Sequence, residues 1–251
     1  MNISLILPCY NEEINLQRGV LDKIGNFISN DDRFVEVLII DDGSTDRSAD
    51  SIKKKYLPRF PKFRLIHTPH KGKAFAVITG IEKAKGEYII FSDIDLATPI
   101  EESEKLIEHS EKGYPILIGS RKSQRAGAPF ARKIMALGAI VVRDLIIGLR
   151  GIKDTQCGFK MFRRSVALNI LKRLLVFRNG RKIKGSSVSA GFDIEFLFLA
   201  IKLGYKVKEI PVTWKHVETK NVNFIRDSIE ALKDIINIKY FYLKGAYDLK
   251  K

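Results

Sequence analysis

Cysteine is almost missing from this chain: Cys9 and Cys157 are the two in 251 residues. Two thiols make no disulfide framework, which excludes the small cystine-stapled secreted domains and implies reduced thiols in a cytosolic setting. Long apolar runs are missing too, since none reaches the roughly 18–20 residues that a bilayer-crossing helix needs. The nearest, Ile134 to Leu149, holds Arg143 and Asp144 in its middle and reads as a buried or interfacial helix. The opening MNISLILP is broken by Pro8 and Asn11 too soon for a secretory leader, so the chain is expected to start without one. Histidine is scarce, and His67, His70, His109 and His216 show no metal-ligand spacing. There is no internal repeat and no low-complexity tract.

Acidic residues are in deficit: 29 Asp and Glu stand against 44 Lys and Arg, a formal net charge of +15. An excess of that size implies a polyanionic partner, whether nucleic acid, a phosphorylated substrate or an anionic membrane surface. It is unevenly spread, for between Arg121 and Lys184 there are 17 basic residues and two acids, Asp144 and Asp154. No nucleic-acid-binding motif accompanies it, which argues against nucleic acid as the partner.

What is present is alternation. Over the first 120 residues, β-rich runs at Ile3–Leu7, Phe34–Ile40, Phe63–His67, Glu87–Phe91 and Pro115–Gly119 alternate with segments of helical spacing. Those segments are Glu13–Ile28, Asp46–Tyr56, Ala74–Lys85 and Glu101–Lys112. Thr98-Pro99-Ile100-Glu101 matches a capping box with Pro in the first turn. The pattern predicts an α/β fold with a mostly parallel sheet covered by helices on both faces, and ligands beyond the carboxyl ends of its strands. Further on it predicts an apolar helix near 130–149, a strand at Gly158–Phe162 and helices at Ser165–Leu175 and Asp193–Leu203. A loop over Arg178–Ser189, a strand at Val207–Trp214 and an amphipathic helix from Val222 to about Tyr242 complete it.

Each of the first five strands delivers polar residues to that rim: Pro8 to Glu12, Asp41 to Ser44, His67 to Lys73, Asp93 to Asp95 and Gly119 to Arg121. Asp93 and Asp95, at i and i+2, project from one side of an extended segment and can reach one hard divalent cation, whose shell substrate phosphates would complete. In Asp41-Asp42-Gly43-Ser44 one short polar residue suffices to cap a helix, which leaves a carboxylate for a base or ribose. Pro8 to Glu12 is a turn of the same kind, with Tyr10 placed to stack on a base or Glu12 serving as a first-turn acid. Lys71-Gly72-Lys73 lacks the full phosphate-loop pattern, yet a Gly at a helix start beside Lys suits an anion as well as it suits a solvated loop. Arg121, Arg125, Arg132 and Lys133 cluster nearby, and the planar fork of Arg fits phosphate. Cys157 lacks a partner His and reads as a packed thiol. Asp193 is either a favourable charge at a helix start or a group pointing into the site.

In chain order, the stretches LPCYNEE, IIDDGSTD, HKGKAFAV, FSDIDLATP, GSR, IKDTQCGFKMF, FDIEFL and EIPVTW resemble the family 2 glycosyltransferases of the GT-A (Rossmann-like) fold. They are most similar to the polyprenyl (dolichyl) phosphate sugar transferases, and among these to the dolichyl-phosphate β-glucosyltransferase branch. The resemblance implies that Pro8, Tyr10, Glu12 and Asp41 or Asp42 hold the uridine or other nucleoside, beside which Lys73 would supply charge to the phosphates. It further implies that Asp93 and Asp95 hold Mg²⁺ or Mn²⁺ on the donor diphosphate, that Arg121 and Arg132 receive the lipid phosphate, and that Gln156 and Asp193 line the reaction centre. Mannosyl relatives carry Gln where Ala97 stands, a departure that favours a glucosyl enzyme using UDP-glucose. The resemblance also implies a GT-A domain over 1–220 and a membrane-associated helical tail over 221–251. The basic 121–184 segment and the helix over 134–149 would dock the enzyme at the cytoplasmic face of a membrane, with an anionic lipid surface as partner. A different sugar (N-acetylglucosamine, glucuronate or mannose) or a soluble glycan acceptor is the alternative.

Overall fold

The computed structural model describes residues 1–121, 130–149, 151–177, 190–215, 217 and 224–249; the side chains of 130–137, 139, 190 and 224–228 lie outside that description. Seven strands form one sheet: β1 (Ile3–Cys9), β2 (Phe34–Asp41), β3 (Phe63–His67), β4 (Tyr88–Ser92), β5 (Ile116–Ser120), β6 (Phe159–Arg163) and β7 (Val207–Pro211), in the order β3-β2-β1-β4-β6-β5-β7. β1 is buried along its whole length and β2 at every position but Val35, as expected of central strands covered on both faces. All neighbours pair in parallel except β6, which runs antiparallel between β4 and β5. The expected α/β architecture is therefore present, and the first five strands do end on one rim. The reversal of β6 brings its leading residues, Cys157 and Gly158, to that same rim.

Helices flank the sheet on two sides. One apolar layer is formed by α1 (Glu13–Gln17), α2 (Val20–Ser29), the α3 segment (Ser48–Ser51) with its π-helical turn Ile52–Tyr56, and α5 (Ser103–Glu111). The other gathers α4 (Lys73–Lys83), the end of α6 (Phe130–Ile147), α7 (Arg164–Leu171), α8 (Ala190–Lys202) and α9 (Phe224–Leu243). α9 packs on α6 and α8 and sinks Ile235 and Ile238 into this layer. Each such fully buried Ile or Leu is worth about 1.5–3 kcal/mol of transfer free energy.

Four local expectations are corrected. The helix expected over Glu13–Ile28 is two, because Gly19 takes the left-handed conformation (φ 74°) and turns the chain between α1 and α2. The helix expected from Asp46 starts at Ser48, since the Asp46 side chain is spent on the amides of Glu13 and Ser48. The capping box at Thr98 does not form: Pro99 is itself the N-cap (φ −57°, ψ 145°), Thr98 is buried and Glu101 faces solvent. The helix expected over Ser165–Leu175 stops at Leu171: the Arg173 and Leu174 amides tighten onto carbonyls three residues back, and those of Leu175, Val176 and Phe177 donate to the buried carboxylate of Glu195. The loop expected over Arg178–Ser189 lies outside the described residues.

Candidate active site

β4 ends at Ser92, and the next residue anchors the tip, since the Asp93 amide donates to the Gly158 carbonyl at 3.0 Å. Leu96 adopts the left-handed conformation (φ 53°), which turns the chain back so that the Ala97 amide donates to Asp95 Oδ1 at 2.9 Å. Backbone bonds thus hold the Asp95 carboxylate and the main chain at Asp93. Lys73, the first residue of α4, brings Nζ to 2.5 Å from Asp93 Oδ1 and lies over the Phe91 ring at 5.4 Å. Burial alone lowers the Lys73 pKa, but the charges of Asp93, Asp193 and Asp95 outweigh it and hold the ammonium above its ordinary value. Burial pushes the Asp95 carboxyl up, and the neighbouring charges of Asp93 and Glu12 add to the rise.

That arrangement suits a hard divalent cation. Asp93 and Asp95 are oxygen donors whose mutual repulsion a cation would relieve, and Lys73 already stands as a countercharge on one of them. Among the described residues no group of three or more His, Cys, Asp or Glu is placed to hold a metal. Two carboxylates are enough when substrate phosphates and water fill the remaining positions.

To one side of this tip lie the loops after β1, β2 and β3. Pro8 is buried within β1 opposite Ile40. Tyr10 stacks on His70, ring centroids 4.0 Å apart and planes 12° from parallel. Asp41 accepts from the Ser44 amide at 3.2 Å and lies 2.9 Å from His67 Nδ1. Asp42 accepts from the amides of Lys71 and Gly72, each at 2.8 Å, and meets His70 Nδ1 at 2.8 Å. The Asp42 carboxylate therefore shapes the turn that launches Lys73 into α4, and both aspartates are almost fully buried. Glu12 accepts from Asn15 Nδ2 at 2.6 Å, while its amide donates to Ser48 Oγ at 2.8 Å, tying the β1 loop to the β2 loop.

On the other side Arg121, just past β5, forms a two-pronged ion pair with Asp154 through Nε and Nη2, both at 2.7 Å, and stacks over Trp214 at 5.7 Å. Burial raises the Asp154 carboxyl, but the hydrogen bonds and charge of Arg121 reverse this and hold it below its ordinary value. Asp193, in the first turn of α8, pairs with Lys160 Nζ at 2.8 Å. Gln156 is exposed beside them. Arg132 lies near the start of α6 with its side chain outside the described residues, as does that of Lys133, and Arg125 is outside them altogether. Cys157 is buried and its thiol is pushed up to about 11, chiefly by burial, so it is a packed thiol and no nucleophile. Sequence reasoning passed over His70, Lys160 and the anchoring task of Asp154. Lys160 and Asp154 sit inside the quoted IKDTQCGFKMF stretch, but their partners are set by the direction of β6, which the sequence does not state.

The paired-aspartate tip thus has the loops after β1, β2 and β3 on one side and the Arg121–Asp154 and Lys160–Asp193 pairs on the other, all at the rim where the parallel strands have their carboxyl ends. The model of the family described as "Glycosyl transferase family 2" matches residues 4–171. The dolichyl-phosphate beta-glucosyltransferase of Dictyostelium discoideum is 34% identical over 99% of this chain and 77% of its own length. The enzyme of that name from Saccharomyces cerevisiae is 31% identical over 99% and 78%. Among solved structures, glucosyl-3-phosphoglycerate synthase from Mycobacterium tuberculosis, in complex with Mn²⁺, UDP and glucosyl-3-phosphoglycerate, superposes with a TM-score of 0.64. It does so at 18% identity, covering 95% of this chain and 80% of that one, a likeness that establishes the fold. The chain belongs to glycosyltransferase family 2 and is a glycosyltransferase.

Proposed function

We propose that the protein transfers a hexose, glucose first among them, from UDP-glucose to a polyprenyl or dolichyl phosphate, with a divalent metal and with inversion at the anomeric carbon. The observation that carries the chemistry is the β4 tip, where Asp93 and Asp95 stand beside Lys73 at the start of α4. The choice of substrates rests on the activity named for the two relatives that align with almost the whole chain. The solved neighbour with Mn²⁺ and UDP supports a metal and a uridine nucleotide. Asp93 and Asp95 would hold Mg²⁺ or Mn²⁺, which when bound neutralises charge on the departing diphosphate. Lys73 adds a fixed positive charge at that point, and Tyr10 with His70 offers aromatic surface to the base. A phosphate oxygen of the acceptor attacks the anomeric carbon from the face opposite the nucleotide, and the bond to the diphosphate breaks. A phosphate monoester is largely dianionic at neutral pH and needs no general base. Asp193, already bonded to Lys160, fits that acceptor better than a sugar hydroxyl, which would want an unpaired carboxylate.

The same reading places the enzyme at a membrane surface, on its cytoplasmic side. Of the eleven exposed large hydrophobic residues among those described, eight lie on two adjacent helices: Val141, Val142 and Leu145 on α6, and Ile229, Leu232, Ile236, Tyr240 and Leu243 on α9. Lys202, Lys239 and Lys244 lie against the Tyr240 and Tyr242 rings at its border, an arrangement of apolar surface, tyrosine and lysine suited to an anionic lipid interface. No described helix is long and apolar enough to cross a membrane.

The test is an assay of labelled UDP-glucose with polyprenyl phosphate and with an oligosaccharide acceptor, each with and without Mn²⁺. Metal-dependent product on the lipid is expected; product on the oligosaccharide alone would refute the acceptor assignment.

A further inference from the structure

Lys160 stands where a hydrophobic residue would be expected. It lies on β6, opposite Phe91 of β4 and Ile118 of β5, and shares a sheet face with Phe162. It is 1% exposed. An ammonium taken out of water costs several kcal/mol unless paired, and a well-packed apolar side chain would serve stability at least as well. Its Nζ is held by the Cys157 carbonyl at 2.6 Å and by Asp193 Oδ1 at 2.8 Å, and lies 5.6 Å from the centre of the Phe91 ring. The Phe91 ring thus has two ammonium groups beside it, with Lys73 on Asp93 and Lys160 on Asp193. Lys160 is too buried to touch a substrate, while the Asp193 side chain is 19% exposed.

An uncompensated carboxylate beside a dianionic acceptor would repel it. Resting on the phosphate-acceptor reading above, we infer that Lys160 is a positioning and specificity-determining residue: it neutralises Asp193 from beneath, so that the reaction centre tolerates an anionic acceptor. Asp154 and Arg121 form a second neutral pair on the same side, and Lys73, whose ammonium also feels the Asp193 charge, is itself bonded to Asp93, which leaves Lys160 as the direct ion-pair partner of Asp193 among the described residues.

The inference requires charge effects of opposite sign. With the full chain, Mn²⁺ and UDP, calorimetric titration of farnesyl phosphate should show K160M binding at least about tenfold more weakly than wild type. D193N, which leaves Lys160 without its ion-pair partner, should bind at least as tightly as wild type. K160M/D193N, which removes both charges, should return to within about threefold of wild type. In sugar transfer K160M should raise the acceptor KM and leave the donor KM in place. Equal affinity in K160M and wild type, or a double variant no better than K160M, would overturn the inference. Should K160M fail to fold, D193N decides, since weaker binding there also overturns it. Failure of wild type to transfer sugar to farnesyl phosphate, with the binding pattern intact, would instead refute the acceptor assignment and support the charge-pairing.

Discussion

Replacing Gly158 by Ala tests whether the acidic tip is the donor site. A Cβ at this position would lie 2.0 Å from Asp93 Oδ2 and 2.4 Å from its Cγ. The Gly158 backbone is not in the left-handed region, so alanine meets no backbone strain of its own. To reach ordinary contact at 3.4 Å the carboxylate must retreat by about 1.4 Å, and its bond to Lys73 at 2.5 Å must break or follow it. The displaced group is the end of a half-buried side chain, so the fold can absorb the change. Gly to Ala even removes freedom from the unfolded chain, worth about 0.4–1 kcal/mol. The unfolding midpoint should therefore stay within about 2–4 °C of wild type. Function has no such tolerance, because misplacing a reacting group by about 1 Å costs roughly a hundredfold in rate. We expect G158A to lose about two orders of magnitude in kcat/KM and most of the thermal stabilisation that UDP with Mn²⁺ gives the wild type. A G158A protein that binds UDP and Mn²⁺ as wild type does would refute the placement of Asp93 in the donor site.

Other outcomes follow from the same geometry. D154N should cost about 2 kcal/mol in chemical denaturation, because it strips Arg121 of its charged partner. The Asp154 pKa is lowered on folding, so the wild-type advantage exists above the ordinary value of 3.8 and fades as pH falls below it; an advantage already gone at pH 6 would contradict the ion pair. E195Q should destabilise by about 1–3 kcal/mol, since the carboxylate accepts from Leu175, Val176 and Phe177 amides and from the Tyr247 hydroxyl, and an amide turns donors toward donors. L145E/I236E should abolish flotation with anionic vesicles while transfer to detergent-solubilised short-chain polyprenyl phosphate persists; unchanged flotation would remove α6 and α9 from the membrane contact.

The sequence by itself settled the alternation of strands and helices, because a buried parallel strand needs an apolar run and the covering helix needs a 3.6-residue period. It also settled which polar clusters reach one rim of the sheet, since parallel strands all end on one side: Asp41, Asp93 and Arg121 were legible for that reason. The family was legible as well, for short motifs in fixed order survive at 31–34% identity. What the tertiary structure decided is who meets whom. The direction of β6 is a register choice made by β4 and β5 together, and it alone puts Lys160 under Asp193 and the Gly158 carbonyl against the Asp93 amide. The burial of Asp42 among the amides of Lys71 and Gly72, and the hold of Asp154 on Arg121, join residues about thirty positions apart. Local pattern encodes how a segment folds; the partner of a buried charge is set by the packing of distant segments, and no spacing rule in the chain records it.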